Sequence, residues 1–470
     1  MGVFVGAGAA GTSGPVRPRA GPVGGTASRV GDPPAVEPPG ASARPGGRGS
    51  RPAAGSPSPS AEEITDGERG AARYVGVLFG VSVLVQRFAV PGLNVIELLL
   101  PIVLAWTGWG LHRGVFVVDR ARLVLWMLAA GACALVIPVQ EYAVPDARIS
   151  VGSYGLFLVV WIPTMVRLRN ASTAGFQLAL RMITRVAVAL AVVCVAMIAS
   201  QLAGLAYQDW MAMTIPESLL LQDFVITYPM SYGVSLYRAN AWIGLEPSIV
   251  SLQLGIGFMA ALLTRRRWPT LATLAAGILC TAAGSGMAIV AVGVIVVMLH
   301  RFRGRILRYL PAAVAGLAIS WFLPWGVYIY SRLTEFTNPD SSTSLRGVTP
   351  YQYLWRFWVE RPAGILFGHG PGASQDLVTE SRIVGLLVPT PAKIFFDYGM
   401  IAGLLLAALL LVCYLGGPAR SVAVSLAVSL WLIQPGTTVM VIVVQVFLVV
   451  TWWAPRVGDV LENQLDSGQA

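Results

Sequence analysis

The chain has 470 residues, 55% of them hydrophobic and only 12% charged, with a mean hydropathy of +0.68 and a formal net charge of +10. Soluble domains carry about 25% charged residues, so this composition excludes an ordinary water-soluble globule. The positive residues are arginines, with Lys393 the only lysine, and they cluster between apolar runs, which orients a chain in a membrane and is no nucleic-acid footprint.

Residues 1–72 are rich in Gly, Pro, Ala, Ser and Arg and read as a disordered cytoplasmic tail. They lack the apolar stretch of a secretory signal, so nothing suggests their removal. Apolar runs long enough for a membrane helix, about 20 residues, then recur. A spanning barrel needs short alternating strands, and this chain has continuous Leu/Val/Ala runs instead. Spans are expected near 74–90, 93–111, 123–139, 151–166, 186–206, 249–264, 269–284, 286–300, 309–330, 393–415, 419–435 and 437–454. The expected fold class is an all-α integral membrane protein of about 12 transmembrane helices over 73–455, with a cytoplasmic tail at 456–470. Cys133, Cys194, Cys280 and Cys413 each lie inside an apolar run without ligand spacing, and read as small lipid- or bundle-facing residues.

Arginines set the orientation. With both termini inside, the inside loops carry Arg113, Arg120 and Arg122, then Arg167, Arg169, Arg181 and Arg185, then Arg265 to Arg267, then Arg301, Arg303, Arg305 and Arg308, then Arg420. The short outside loops carry only Arg148. This is the distribution the positive-inside rule requires. Two longer extracytoplasmic loops, about 207–248 and 331–392, break it with Arg238, Arg332, Arg346, Arg356, Arg361 and Arg382. Orientation does not explain these residues, so they are the first candidates for function. Arg87, inside the first apolar run, is a further exception.

The first long loop holds Trp210, Phe224, Tyr228 and Tyr232, an aromatic stretch expected along the interface, and ends in Arg238 through Glu246-Pro247-Ser248 before a span. Arg238 and Glu246 either pair at the headgroup level or serve a substrate. The second contains Ser344-Leu345-Arg346, an aromatic amphipathic stretch around Arg356, and Gly368-His369-Gly370-Pro371-Gly372, a turn whose amides are free to meet an anion. Arginine suits phosphate because its planar fork gives bidentate bonds and does not titrate. His369 is either a base or a structural histidine. With His112 and His300 at inside span ends, no metal cluster can be assembled. Lys393 and Asp397, one helical turn apart, either pair locally or face a cavity.

The chain resembles the bacterial O-antigen polymerase / O-antigen ligase superfamily over about residues 200–415. The resemblance rests on Arg238 to Ser248, on the span opening Thr281-Ala282-Ala283-Gly284-Ser285-Gly286, and on Ser344-Leu345-Arg346 through Gly372. Tyr398-Gly399-Met400-Ile401-Ala402-Gly403 looks like the span that follows. Gly286 stands where the family commonly has Arg, and Pro389-Thr390-Pro391-Ala392-Lys393 lacks the His usual in the ligase branch, which favours a polymerase.

What the resemblance implies is a metal-independent glycosyltransferase without cofactor, in the bacterial cytoplasmic membrane. It would take an undecaprenyl-diphosphate-linked glycan donor and a glycan acceptor at the outer face. Arg238, Arg346 and Arg356 would hold the diphosphate, with Glu246 or His369 as base or orienting group, or Glu246 as a salt-bridge holder for Arg238. A secondary transporter would instead need broken spans in matching halves with midplane charges, and no such repeat is visible. A non-catalytic polysaccharide exporter is the other alternative from a different class.

Overall fold

A computed structural model describes residues 64–222, 224, 226–230, 236–301, 344–383, 386–415, 417–433 and 438–453. The ninth expected span, Arg332, and most of both expected tails lie outside the described residues.

The remaining eleven expected spans all overlap helices, with the correction that residues 89–90 and 93–97, expected inside the first two, form a strand pair instead. In chain order the helices are α1 (Asp66–Val85), α2 (Leu99–His112), α3 (Arg120–Ala143), α4 (Val151–Trp161), α5 (Thr173–Leu202), the short α6 (Trp210–Thr214), α7 (Pro247–Leu263), α8 (Trp268–Thr281) and α9 (Gly284–Arg301). Beyond residue 343 come four short helices, α10 (Ser344–Gly347), α11 (Thr349–Val359), α12 (Pro362–Phe367) and α13 (Ala373–Ser381). The chain then forms α14 (Thr390–Leu415), α15 (Arg420–Val428) and α16 (Met440–Val446). Among the described residues, α3, α5 and α14 are by length and composition long and apolar enough to cross a membrane, and seven other apolar helices are shorter.

Helix starts are set by caps that reach beyond the apolar runs. Thr65 and Glu68 form a reciprocal capping box, so α1 begins at Asp66, within the stretch assigned to the tail. Ser172 accepts from Gly175 N and starts α5 at Thr173, which puts Arg181 and Arg185 on a helix rather than in a loop.

Helix α7 is the centre of the fold: 14 of its 17 residues are buried, against α5, α8 and α9. The contact with α9 is close enough that a Cβ on Gly286 would overlap the Ser251 carbonyl oxygen, while Ser251 Oγ accepts from Gly286 N at 3.2 Å. Small residues permit such close backbone approach between membrane helices. Three of the four cysteines are buried in the bundle and Cys280 is partly so.

Helix α14 is broken at Gly399, whose φ of 68° is non-helical. Gly399 packs backbone to backbone on Gly368, φ 81°, and a Cβ on either glycine would overlap the other's amide nitrogen.

Contacts sort the loops into two sets. One joins strands Phe116–Val118 and Val166–Leu168 as an antiparallel pair, and adds Leu168 N to Trp452 O at 2.8 Å. The other joins the hairpin of strands Ala89–Val90 and Leu93–Glu97 to the 207–248 segment through a Phe88–Leu220 bridge. Arg148 N and Ser150 N likewise bond the carbonyls of His369 and Pro371.

Candidate functional site

Glu246 ends the first long segment and forms the N-cap of α7, made rigid by Pro247 at the first helical position. It is 7% exposed. Its Oε2 accepts from Ser248 Oγ at 2.9 Å and from Arg346 Nη2 at 3.2 Å. Arg346, on α10, is thereby brought from the second long segment onto the first. Tyr228 lies beside them, its phenol within electrostatic reach of Glu246, Arg346 and Arg238. Burial pushes this phenol above its ordinary pKa, the Glu246 charge adds to that, and Arg346 and Arg238 pull against it. Arg238 lies with its guanidinium carbon 5.8 Å from the Tyr228 ring centre and donates from Nε to Pro229 O at 3.2 Å.

Three of the sequence candidates, Arg238, Glu246 and Arg346, therefore share one cluster. Arg356 does not: it is exposed on α11 and makes no hydrogen bond or ion pair among the described residues. Tyr228 was legible only as one ring in an aromatic stretch, and nothing in its spacing marks it as the bridge between two arginines.

The turn leading into Glu246 is strained. Ala241 and Trp242 both adopt left-handed backbone, φ 56° and 57°, at a cost of about 1–2 kcal/mol each. Asn240, fully buried, holds the turn: its Oδ1 accepts from Trp242 N at 3.0 Å, and its Nδ2 donates to Tyr207 Oη and Ile226 O. Arg87 braces the other side. It lies past the end of α1 and is 1% exposed, with Nη1 and Nη2 2.6 and 2.7 Å from the two Asp209 oxygens and a third bond to Trp242 O. Burial raises the Asp209 carboxyl, but the Arg87 hydrogen bonds and charge outweigh it and leave the group below its ordinary value. The apparent exception to the arginine distribution is thus a brace for the first long segment. A lone arginine in an apolar run and a carboxylate in an aromatic one were the visible signs.

His369, Lys393 and Asp397 form a second cluster. Asp397 is fully buried, and its carboxylate accepts from Gly372 N at 3.1 Å, Ser374 N at 2.9 Å and Lys393 Nζ at 3.1 Å. Its carbonyl accepts from Gly370 N and Gln140 Nε2. The expectation that the glycine-rich turn offers free amides is corrected here: the anion at those amides is the protein's own. Lys393 and Asp397 pair locally. His369 stacks on Phe396, ring centres 4.5 Å apart, and donates its main-chain N–H to Phe396 O. Its Nε2 is buried against Gly364 without a hydrogen-bond partner among the described residues. Burial draws the imidazole below its ordinary pKa, against the Phe357 carbonyl and the Asp397 charge, so it is neutral near pH 7.

Chemically, the first cluster offers two guanidinium groups, a phenol and a carboxylate on one patch. The second is a packed junction between the glycine turn and the broken helix α14. No grouping of three or more His, Cys, Asp or Glu suited to a metal occurs among the described residues.

Apolar helices of this kind, carrying a charged cluster on their loops, define an integral membrane protein. The match of its residues 74–384 to the family model of the WcaD colanic acid polymerase places the chain in that family. Membership supports a repeat-unit polymerase of surface polysaccharide, a glycosyltransferase-type activity, in keeping with the polymerase resemblance of its motifs. The matched region includes Arg238, Glu246, Arg346 and His369 and stops short of Lys393 and Asp397. No curated protein matches the chain.

Proposed function

We propose that the protein joins undecaprenyl-diphosphate-linked oligosaccharide units at the outer face of the bacterial cytoplasmic membrane, with the Arg238–Tyr228–Arg346–Glu246 cluster as its reacting centre. The observation that carries this reading is the Arg346–Glu246 contact at 3.2 Å, which unites the two segments whose arginines orientation leaves unexplained. The arginine-rich short loops support a reading with twelve spans and both termini inside.

In this reaction an acceptor hydroxyl attacks the anomeric carbon of the donor. The new glycosidic C–O bond forms as the bond from that carbon to the phosphate oxygen breaks, and the lipid diphosphate leaves with the electron pair. Arg238 and Arg346 stabilise the charge that grows on the diphosphate. Glu246 takes the hydroxyl proton as general base, or orients Arg346 if solvent takes it. Its Oε1 accepts no hydrogen bond among the described residues, so one oxygen is free for the acceptor while Oε2 holds Arg346. Arg356, exposed on α11, would meet the phosphates from outside the cluster. The chemistry assigned to these side chains asks nothing of a metal.

The test is replacement in the producing cell. Deletion of the gene abolishes long-chain polysaccharide, and Arg238→Ala and Arg346→Ala reproduce that loss at normal protein abundance in the membrane. Wild-type ladders from both variants would sink the assignment.

A further inference from the structure

Between the end of α5 and the strained turn lies a cavity of about 380 Å³ that the cluster does not use. Small-ligand sites measure roughly 300–1,000 Å³ and combine aromatic walls with a few polar groups. This one has Tyr207, Trp210 and Trp242 in its walls, with Ser200, Gln201 and Gln208 among them and three smaller apolar residues completing the lining.

The walls are built in different ways. Tyr207 is held by Asn240 Nδ2 at 3.1 Å and by the Tyr237 ring, centres 5.6 Å apart. Trp242 is held by the left-handed turn, its N–H donating to Asn240 and its carbonyl accepting from Arg87. Gln201 is spent on the chain itself, accepting from Tyr237 N at 2.8 Å and donating to Tyr237 O at 3.2 Å. That clamp fixes the residue next to Arg238. By contrast Trp210 is 56% exposed, and the exposed Gln208 amide makes no hydrogen bond among the described residues.

An aromatic face is electron-rich and packs well on the C–H face of a pyranose, whose ring hydrogens are polarised positive. Hydroxyls around that ring need polar partners: the Gln208 amide supplies donors and an acceptor, and Ser200 Oγ, which donates to Met197 O at 2.8 Å, can accept. An isoprenoid chain has no use for such partners. The turn that presents Trp242 runs directly from Arg238 to Glu246, so whatever occupies the cavity is bound by the segment that forms the charged cluster. We propose that this cavity is a saccharide subsite, holding a sugar ring of the glycan while its reacting end lies at the arginines; this rests on the polymerase reading above. Strain at Ala241 and Trp242 then has a purpose, since it sets an aromatic platform and a carboxylate at opposite ends of one short turn.

The experiment places a photo-crosslinker, Gln208→p-benzoylphenylalanine, in the full-length protein in cells that make the polymer. Illumination is expected to yield a glycan-bearing adduct, recognised by sugar release on acid hydrolysis. The adduct disappears when the first sugar transferase of the host's assembly route is deleted. Adding Trp210→Ala lowers its yield at least fivefold at equal protein abundance, and Trp210→Phe restores it. An adduct with lipid tails only, or none at all, overturns the subsite. If the gene deletion abolishes the polysaccharide but no glycan adduct forms, the subsite fails and the polymerase reading stands. If the polysaccharide survives the deletion, the polymerase reading itself has failed.

Discussion

Arg346 Nη2 meets Glu246 Oε2 at 3.2 Å across 100 residues of sequence, with side chains only 14% and 9% exposed. A pair that served only to hold two loops together would tolerate exchange of its charges. A pair in which the guanidinium also meets phosphate would not. Arg346→Ala is expected to slow polymerisation by about 10²–10³-fold, the usual loss when one transition-state donor is removed. The exchange Glu246→Arg with Arg346→Glu should restore membrane abundance without restoring chain length. Polysaccharide ladders beside immunoblots give both readouts, and a wild-type ladder from the exchange would reduce the pair to scaffolding.

Gly286 lies in the first turn of α9. Its lack of a side chain is required by the Ser251 main chain of α7. Gly286→Ala is expected to cost about 1–3 kcal/mol by overpacking, and Gly286→Arg more. Thermal unfolding of the detergent-purified variants measures it. An unchanged melting temperature for Gly286→Arg would mean that α7 and α9 do not approach this closely.

Asp397→Asn leaves Lys393 without its counter-charge in a mostly buried place. The expected destabilisation is about 3–5 kcal/mol. Adding Lys393→Met should recover part of it, since the stranded cation is then gone. Melting of the single and double variants tests the coupling, and purely additive losses would refute it.

His369 gives a pH dependence of definite sign. Its folded pKa lies below the ordinary 6.5, so the unfolded chain binds the proton first as pH falls. The contribution of the buried neutral ring is complete above about 6.5 and is lost progressively as pH drops towards the folded value. Hydrogen exchange at Gly370 and Gly372 should accelerate over that window, and His369→Phe should remove the acceleration.

Orientation can be read from cysteines introduced at exposed positions. Gln208→Cys and Arg356→Cys are expected to react with an impermeant maleimide in intact cells, and Arg169→Cys only after permeabilisation. The native Cys133, Cys194 and Cys413 are buried and should contribute little background. Labelling of all three positions from one side would overturn the topology.

Apolar length was enough to find the helices, because each expected span within the described residues is a continuous Leu/Val/Ala run. It was not enough to find their starts. Those depend on Thr65–Glu68 and Ser172, whose capping chemistry is visible in the sequence but lies in polar stretches that resemble tail and loop. Arg238 and Arg346 were legible as arginines that orientation does not explain, and Glu246 as the carboxylate that closes the Arg238–Ser248 stretch before a span. Their meeting through Tyr228 was not, since it depends on how the 207–248 segment folds over α7. The glycine turn misled for a physical reason: a run of amides signals an anion without saying whose, and here the carboxylate of Asp397 stands 25 residues beyond Gly372.

Because Asp397 already sits in that turn, main-chain amides there have nothing left to give a diphosphate. In the proposed reaction, donor capture then falls to side-chain guanidinium groups, which stay charged at every pH a cell experiences. The affinity for the lipid carrier should accordingly track ionic strength far more than acidity. A cell in concentrated brine would feel this enzyme weaken well before one in mildly acid soil.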